Sequence, residues 1–130
     1  MKILIVDDDQ SLVSIFSTTL QSAGFQVVTA FNGKEGIDKA SLEKPDLILL
    51  DQILPDIAGN DVLKTLKGNQ ETNSIPVAMM SNYSDENIMK NAISIGAIDY
   101  IYKYNIEPND LIKKVQLLTK NPSENTSENI

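Results

Sequence analysis

Polar residues that could do chemistry stand at the ends of four short apolar runs in this sequence. The first run, residues 3–6, leads straight into three consecutive carboxylates, and the run 46–50 leads into a fourth. The stretches 75–81 and 97–103 end on a hydroxyl and on an amine. The residues concerned are Asp7, Asp8, Asp9, Asp51, Ser81 and Lys103. Carboxylates gathered in one place repel one another and raise each other's pKa, so such a group calls for a compensating cation.

A hard divalent cation is the compensating charge that these residue types favour. Mg²⁺ prefers oxygen ligands, keeps several waters and is typically held by one or two carboxylates together with a phosphate. The 130-residue chain contains neither histidine nor cysteine, which excludes thiol catalysis, Ser-His-Asp triads and most zinc sites. A spare carboxylate beside Mg²⁺, a lysine and a hydroxyl has the parts for phosphoryl transfer, with an aspartate as the nucleophile.

The composition indicates an acidic globular domain. Eleven lysines and arginines against 18 aspartates and glutamates give a net charge of −7, which makes the chain a poor direct ligand for nucleic acid. No apolar run approaches the roughly 20 residues that a membrane span needs. The apolar stretch after Lys2 is too short for a signal peptide. We therefore expect no nucleic-acid binding, no membrane association and a cytoplasmic location.

Five strand-like segments alternate with five helix-like segments. Apolar runs and turn residues predict strands at 2–6, 25–30, 46–50, 75–81 and 97–103. Helical spacing and capping residues predict helices at about 10–23, 34–43, 60–67, 85–95 and 108–118. This alternation indicates an α/β fold with a parallel sheet covered on both faces. In such sheets ligands bind beyond the carboxyl ends of the strands, which is the edge where the polar residues gather.

Each polar residue also has an ordinary structural interpretation. An aspartate after a strand is more often a helix N-cap than a metal ligand. A lysine in that place usually extends into solvent while its stem covers the sheet edge. The functional interpretation depends on the whole set. Carboxylates from two strands, a hydroxyl from a third and a lysine from a fourth are predicted to meet at one edge of one sheet.

Four stretches of the sequence together resemble the receiver domain of two-component response regulators. They are ILIVDDD at 3–9, PDLILLDQILPDIAG at 45–59, IPVAMMSN at 75–82 and GAIDYIYK at 96–103. The resemblance covers residues 2–118 and implies a doubly wound, flavodoxin-like sheet of five parallel strands in the order 2-1-3-4-5. It also implies a phosphorylation-dependent signalling switch rather than a turnover enzyme, with a histidine kinase or a phosphotransfer protein as the phosphodonor.

The resemblance assigns the carboxylates separate roles. Asp51 is implied to be the phosphoacceptor. Asp7 and Asp8 are implied to hold Mg²⁺ together with Asp51 and the backbone carbonyl of Ile53. Asp9 is left with the ordinary role of capping the first helix or placing charge in its first turn.

The resemblance also assigns the residues that would respond to phosphorylation. Ser81 and Lys103 are implied to bind phosphoryl oxygens. Tyr100 resembles the switch aromatic of receivers, which moves inward when the hydroxyl residue is drawn to the phosphate; taken alone, it would be a strand residue packed on the last helices. The downstream partner is expected to bind the face formed by the fourth helix, the last strand and the last helix.

Three positions depart from the usual receiver pattern. Tyr104 follows the lysine where many receivers have a proline in a cis peptide, and because a non-proline cis bond costs roughly 3 kcal/mol we predict a trans peptide there. Gln52 is polar where an aliphatic residue is usual, and the sequence suggests only that it is solvated. Ile53 and Tyr83 are bulky at positions that control access of water to the phosphate, which predicts slow self-dephosphorylation.

Two alternative functions are compatible with parts of the pattern. The D-x-D within residues 7–9 resembles haloacid-dehalogenase-like phosphatases, but Asp51 would then be unexplained. A degenerate receiver that binds partners without phosphorylation is the other alternative. We predict a receiver domain at 1–119 and a polar, disordered tail at 120–130, with the chain being a stand-alone receiver or a domain cut from a longer protein.

Overall fold

The computed structural model describes residues 1–82, 85–104 and 106–120. Strands and helices alternate along the chain. The strands are β1 Lys2–Val6, β2 Gln26–Ala30, β3 Leu47–Asp51, β4 Val77–Ser81 and β5 Asp99–Tyr102. The helices are α1 Gln10–Ser22, α2 Gly33–Glu43, α3 Gly59–Lys67, α4 Glu86–Ile95 and α5 Pro108–Thr119. The predicted alternation is confirmed.

The strands form one parallel sheet in the order β2-β1-β3-β4-β5, which confirms the predicted topology. Strands β1, β3 and β4 are apolar because each has helices on both of its faces. The chain leaves β1 towards β2 on one side and later returns to β3 on the other. The crevice between the carboxyl ends of β1 and β3 is therefore the switch point at which ligands bind in this class of sheet.

Two hydrophobic layers enclose the sheet. Helices α1 and α5 cover one face, where Phe16, Leu20 and Val115 pack against Ile5 and Leu49. Helices α2, α3 and α4 cover the other face. These buried layers hold the strands in register, so the residues at the strand ends are positioned by a rigid scaffold.

Strands β2 and β3 lie within one residue of their predicted bounds, and the ends of β4 and β5 differ more, for identifiable reasons. Strand β4 starts at Val77 rather than at residue 75, after a proline that has no N–H for the ladder. Strand β5 is shorter than the predicted 97–103, because the N–H of Ala97 is used by the carbonyl of Ala92 at the end of α4. Lys103 lies just beyond β5, but its N–H still donates to the carbonyl of Ser81 at 2.7 Å. Its position at the sheet edge is thus fixed by the ladder.

Among the helices of the described segments, none is long and apolar enough to cross a membrane. The predicted tail lies, from residue 121 onwards, outside the described residues.

Candidate functional site

Asp51 is the last residue of β3 and points into the switch-point crevice with 4% of its surface exposed. The chain turns sharply after it: the N–H of Gln52 donates to Met80 at 2.9 Å, and the N–H of Gly59 donates back to Gln52 at 2.9 Å. A side chain at Gly59 could not be accommodated, because its Cβ would lie 2.3 Å from the carbonyl oxygen of Asp51. The close approach of α3 to the end of β3 thus requires glycine and fixes the Asp51 backbone.

Asp7 and Asp8 follow β1 and lie beside Asp51. One carboxylate oxygen from each of the three residues falls within 4.8 Å of the other two. Asp7 is fully buried and Asp8 is exposed. The N–H of Asp7 donates to Ala30 of β2 at 3.0 Å, so Asp7 continues the line of β1. The predicted convergence of carboxylates from two strands is therefore present.

Lys103 joins the two buried carboxylates. Its Nζ lies 2.9 Å from Oδ2 of Asp7 and 3.2 Å from Oδ2 of Asp51, and only 7% of the residue is exposed. Burial alone would lower the pKa of Lys103, but the hydrogen bond to Asp7 and the charges of Asp51 and Asp7 outweigh it and hold the pKa above its usual value. The ordinary interpretation of this lysine, a solvated side chain at the sheet edge, is excluded.

The single ammonium of Lys103 does not fully offset the cost of burying the negative charge of Asp51. Burial, followed by the charge of Asp7, raises the pKa of Asp51 from 3.8 to about 7, while Lys103 and a backbone hydrogen bond from Ile53 act in the opposite direction. The ionised carboxylate is therefore costly in the absence of a further cation. A divalent ion at this point would reduce the repulsion between Asp51 and Asp7.

The donor set around Asp51 fits a hard metal ion. The cluster of Asp7, Asp8 and Asp51 offers carboxylate oxygens and no nitrogen or sulfur, which is the set that Mg²⁺ prefers. Asp8 is exposed, which suits an ion that keeps several of its waters. Ile53 lines the same pocket, so the backbone of the turn after β3 lies near these carboxylates.

A pocket of about 260 Å³ opens in front of these carboxylates. Ser81 and Asn82 line it at the end of β4, with Lys103 beside them at the end of β5. Ser81 is 3% exposed. The structure thus brings the predicted hydroxyl, amine and acceptor carboxylate to one pocket large enough for a phosphoryl group.

Asp9 caps the first helix, as predicted, and also makes one contact that was not predicted. It is the N-cap of α1, where its Oδ1 accepts from the N–H of Leu12 at 3.2 Å. Its Oδ2 accepts from the hydroxyl of Tyr104 at 2.6 Å, across the mouth of the pocket. The described residues include no cis peptide bond, so the prediction of a trans Lys103–Tyr104 bond is confirmed. No local sequence pattern relates Asp9 to a tyrosine 95 positions away.

The environment of the Gln52 side chain differs from the prediction. The sequence suggested a solvated side chain, but Gln52 is 8% exposed and both ends of its amide have partners. Its Nε2 donates to Oδ1 of Asn60 at 2.8 Å, and its Oε1 accepts from the hydroxyl of Tyr100 at 3.2 Å. The amide is buried because α3 and β5 each supply a polar group in the right place. Tyr100 itself is 8% exposed, so its ring lies inside the fold. Tyr83 lies outside the described residues.

Comparison with known proteins places these features in a family. The sequence matches the family described as "Response regulator receiver domain" over residues 3–116. It is 39% identical over 102 residues to the alkaline phosphatase synthesis transcriptional regulatory protein PhoP of Bacillus subtilis, covering 78% of this chain and 42% of PhoP. Hybrid signal transduction histidine kinase D of Dictyostelium discoideum is 33% identical over 101 residues, which cover 78% of this chain and 6% of that protein. The chain thus spans about half or less of the length of the curated relatives it matches.

Solved structures agree with the sequence matches. The chemotaxis protein CheY4 of Vibrio cholerae superposes with a TM-score of 0.84 at 28% identity, covering 90% of this chain and 97% of CheY4. A CheY-like receiver domain protein of Methanospirillum hungatei superposes with a TM-score of 0.84 at 26% identity, covering 98% and 97% of the two chains. The resemblance is therefore spread over the whole described fold.

Proposed function

Because this chain belongs to the receiver family of response regulators, and so acts as a phosphorylation-dependent signalling switch, we propose that Asp51 is the residue that accepts the phosphoryl group. The observation that carries this assignment is the position of Asp51: among the described residues, it is the one carboxylate that faces Lys103, lines the pocket with Ser81 and belongs to the three-carboxylate cluster. Asp7 meets Lys103 and the cluster but is fully buried behind them.

The proposed reaction moves a phosphoryl group from nitrogen to oxygen. A carboxylate oxygen of Asp51 attacks the phosphorus of a phosphohistidine, the P–N bond breaks, and the imidazole nitrogen of the donor takes up a proton. The donor must be a separate histidine kinase or phosphotransfer protein, since this chain has no histidine. The product is an acyl phosphate on Asp51.

Lys103 and Ser81 are proposed to bind the phosphoryl oxygens. Lys103 already lies 3.2 Å from the acceptor, so a small movement of its ammonium would follow the negative charge from the carboxylate to the phosphoryl group. Asp7, Asp8, Asp51 and the carbonyl of Ile53 are proposed to hold Mg²⁺. When bound, that ion would neutralise charge on the phosphoryl oxygens.

The proposed output is a change in partner binding at the face formed by α4, β5 and α5. Tyr100 lies on β5, which forms part of this face, and is proposed as the switch residue, with phosphorylation of Asp51 drawing inward only the fraction of its ring that is still exposed. Slow loss of the phosphate is also proposed, because Ile53 is 57% exposed at the pocket and presents no polar group to orient water.

Intact mass after treatment with acetyl phosphate and Mg²⁺ tests the assignment. We expect one hydroxylamine-labile phosphoryl addition, lost in Asp51→Asn and retained in Asp38→Asn, which alters an exposed carboxylate paired with Lys34 on α2. A phosphoryl addition that survives in Asp51→Asn would contradict the assignment. Hydrolysis of phosphomonoesters with turnover would instead support a phosphatase.

A further inference from the structure

Gln52 is a buried polar side chain that the proposed phosphoryl transfer does not use. It follows Asp51 directly, and its backbone is held at both ends, by Met80 of β4 and by Gly59 of α3. These anchors fix the backbone from which its side chain extends. Its amide lies between the hydroxyl of Tyr100 and the side chain of Asn60.

The contact with Tyr100 is energetically more important than an exposed hydrogen bond. If the ring moved outward, Oε1 of Gln52 would be left without that donor inside the fold, and a buried acceptor without a partner is destabilising. Asn60 strengthens the effect, because its hydrogen bond to Nε2 orients the amide so that the oxygen faces Tyr100. Gln52 and Asn60 together therefore favour the buried ring.

The ring has an alternative position available. Strand β5 is at the edge of the sheet, and a pocket of about 230 Å³ borders Tyr100 there, lined also by Tyr102 and Ile106. An outward ring could occupy that space without disturbing the central strands. A ring with both positions available would be in a two-state equilibrium, which the Gln52 contact would bias towards burial.

We propose that Gln52 is a positioning residue that holds Tyr100 in its buried position through side chains of the chain itself, so that burial of the ring does not require phosphorylation of Asp51. The hydrogen bonds from Tyr100 to Gln52 and from Gln52 to Asn60 involve no phosphoryl oxygen and no metal ligand. The proposal goes beyond the phosphoryl-transfer assignment and rests on it only where it predicts how Tyr100 responds to activation.

Fluorine NMR of protein labelled with 3-fluorotyrosine tests the proposal, with the Tyr100 resonance assigned from Tyr100→Phe. In EDTA and without a phosphodonor, Gln52→Met keeps the side-chain length but removes the acceptor, and we expect the exposed population of the Tyr100 ring to rise roughly five-fold. Asn60→Ala keeps Gln52 but loosens its amide, and we expect a rise of roughly two-fold. A role of Gln52 in packing alone would leave the ring population unchanged in both variants.

The matched control is Gln21→Met, which makes the same change at an exposed glutamine on α1, far from Tyr100 in the fold. We expect the exposed population of the Tyr100 ring to be unchanged in this variant. If Gln52→Met does not fold, as judged by circular dichroism, Asn60→Ala carries the test. An unchanged Tyr100 population in the folded variants would overturn the proposal.

A second measurement separates this proposal from the proposed function. Beryllofluoride with Mg²⁺ should add little to ring burial in the unaltered protein and should restore burial in Gln52→Met. A large beryllofluoride-induced burial of Tyr100 in the unaltered protein would overturn the role of Gln52. If the Gln52 variants shift the ring but beryllofluoride changes no resonance in any variant, the phosphoacceptor assignment fails and the role of Gln52 is supported.

Discussion

Replacing Asp51 by asparagine should stabilise the metal-free protein, and the gain should grow as the pH rises from about 3.8 to about 7. The buried carboxylate shares one ammonium with Asp7 and has a pKa raised to about 7. In the unfolded chain the same group has an ordinary pKa of 3.8. Between these two values the folded protein binds more protons than the unfolded chain, so stability falls as the pH rises through this window.

The size of the effect follows from the same two values. A pKa raised from 3.8 to about 7 corresponds to about 4 kcal/mol once the carboxylate is fully ionised. Water in the open pocket reduces this cost, so we expect about 2 kcal/mol between Asp51→Asn and the unaltered protein at about pH 8. Near pH 5 the folded-state carboxylate is mostly protonated while the unfolded one is already ionised, so the difference should be smaller than at pH 8, and it should vanish only below about pH 3.8. Lys103 retains Asp7 as a partner in the variant.

Urea denaturation followed by circular dichroism measures this difference. With EDTA at about pH 8, we expect the midpoint of Asp51→Asn to lie roughly 1 M above that of the unaltered protein. Mg²⁺ should stabilise the unaltered protein more than the variant and so reduce the gap. Asp38→Asn, at an exposed carboxylate on α2, is the control and should show no such pH-dependent gain. Equal midpoints for Asp51→Asn and the unaltered protein at both pH values would refute the reasoning.

Four further substitutions test other parts of the site. Lys103→Met leaves two buried carboxylates without their shared cation, so the free energy of unfolding in EDTA at about pH 8 should fall by about 2 kcal/mol and recover in part with Mg²⁺. Asp9→Ala should lower the free energy of unfolding by about 1 kcal/mol through loss of the α1 cap, while leaving acetyl phosphate labelling nearly intact. Asp8→Ala should instead abolish most of this labelling. Equal labelling of both variants would contradict the division of roles. Ile53→Asn should shorten the lifetime of the phosphorylated protein several-fold in a decay assay, because an amide at the pocket can orient water; an unchanged lifetime would argue against control by this residue.

The fold and the outline of the site were predictable because they depend on pattern and topology. Apolar runs such as residues 46–50 indicate strands buried on both faces, and alternation with helices requires a parallel sheet. Parallel strands bring their carboxyl ends to one edge. Asp7 and Asp51 were therefore expected to meet although they are far apart in sequence, and they do.

The contacts that set the energetics were not predictable in the same way. Gln52 follows a strand, where amides are usually solvated, and its burial depends on Asn60 and on Tyr100, 48 positions away. The Tyr104–Asp9 hydrogen bond likewise joins side chains that no periodicity relates. Such contacts depend on side-chain rotamers after packing, and a one-dimensional pattern does not encode these.

Two side-chain contacts join the end of β5 to β3 and the turn that follows it. Lys103 pairs with Asp51 in the pocket, and Tyr100, three residues earlier, is bound to Gln52 inside the fold. Three carboxylates and one ammonium leave the pocket with two formal negative charges, so any gain or loss of charge at Asp51 acts directly on Lys103. A phosphoryl group would therefore be sensed at the sheet edge through the Lys103 contact, while the Gln52 contact sets how far Tyr100 can respond.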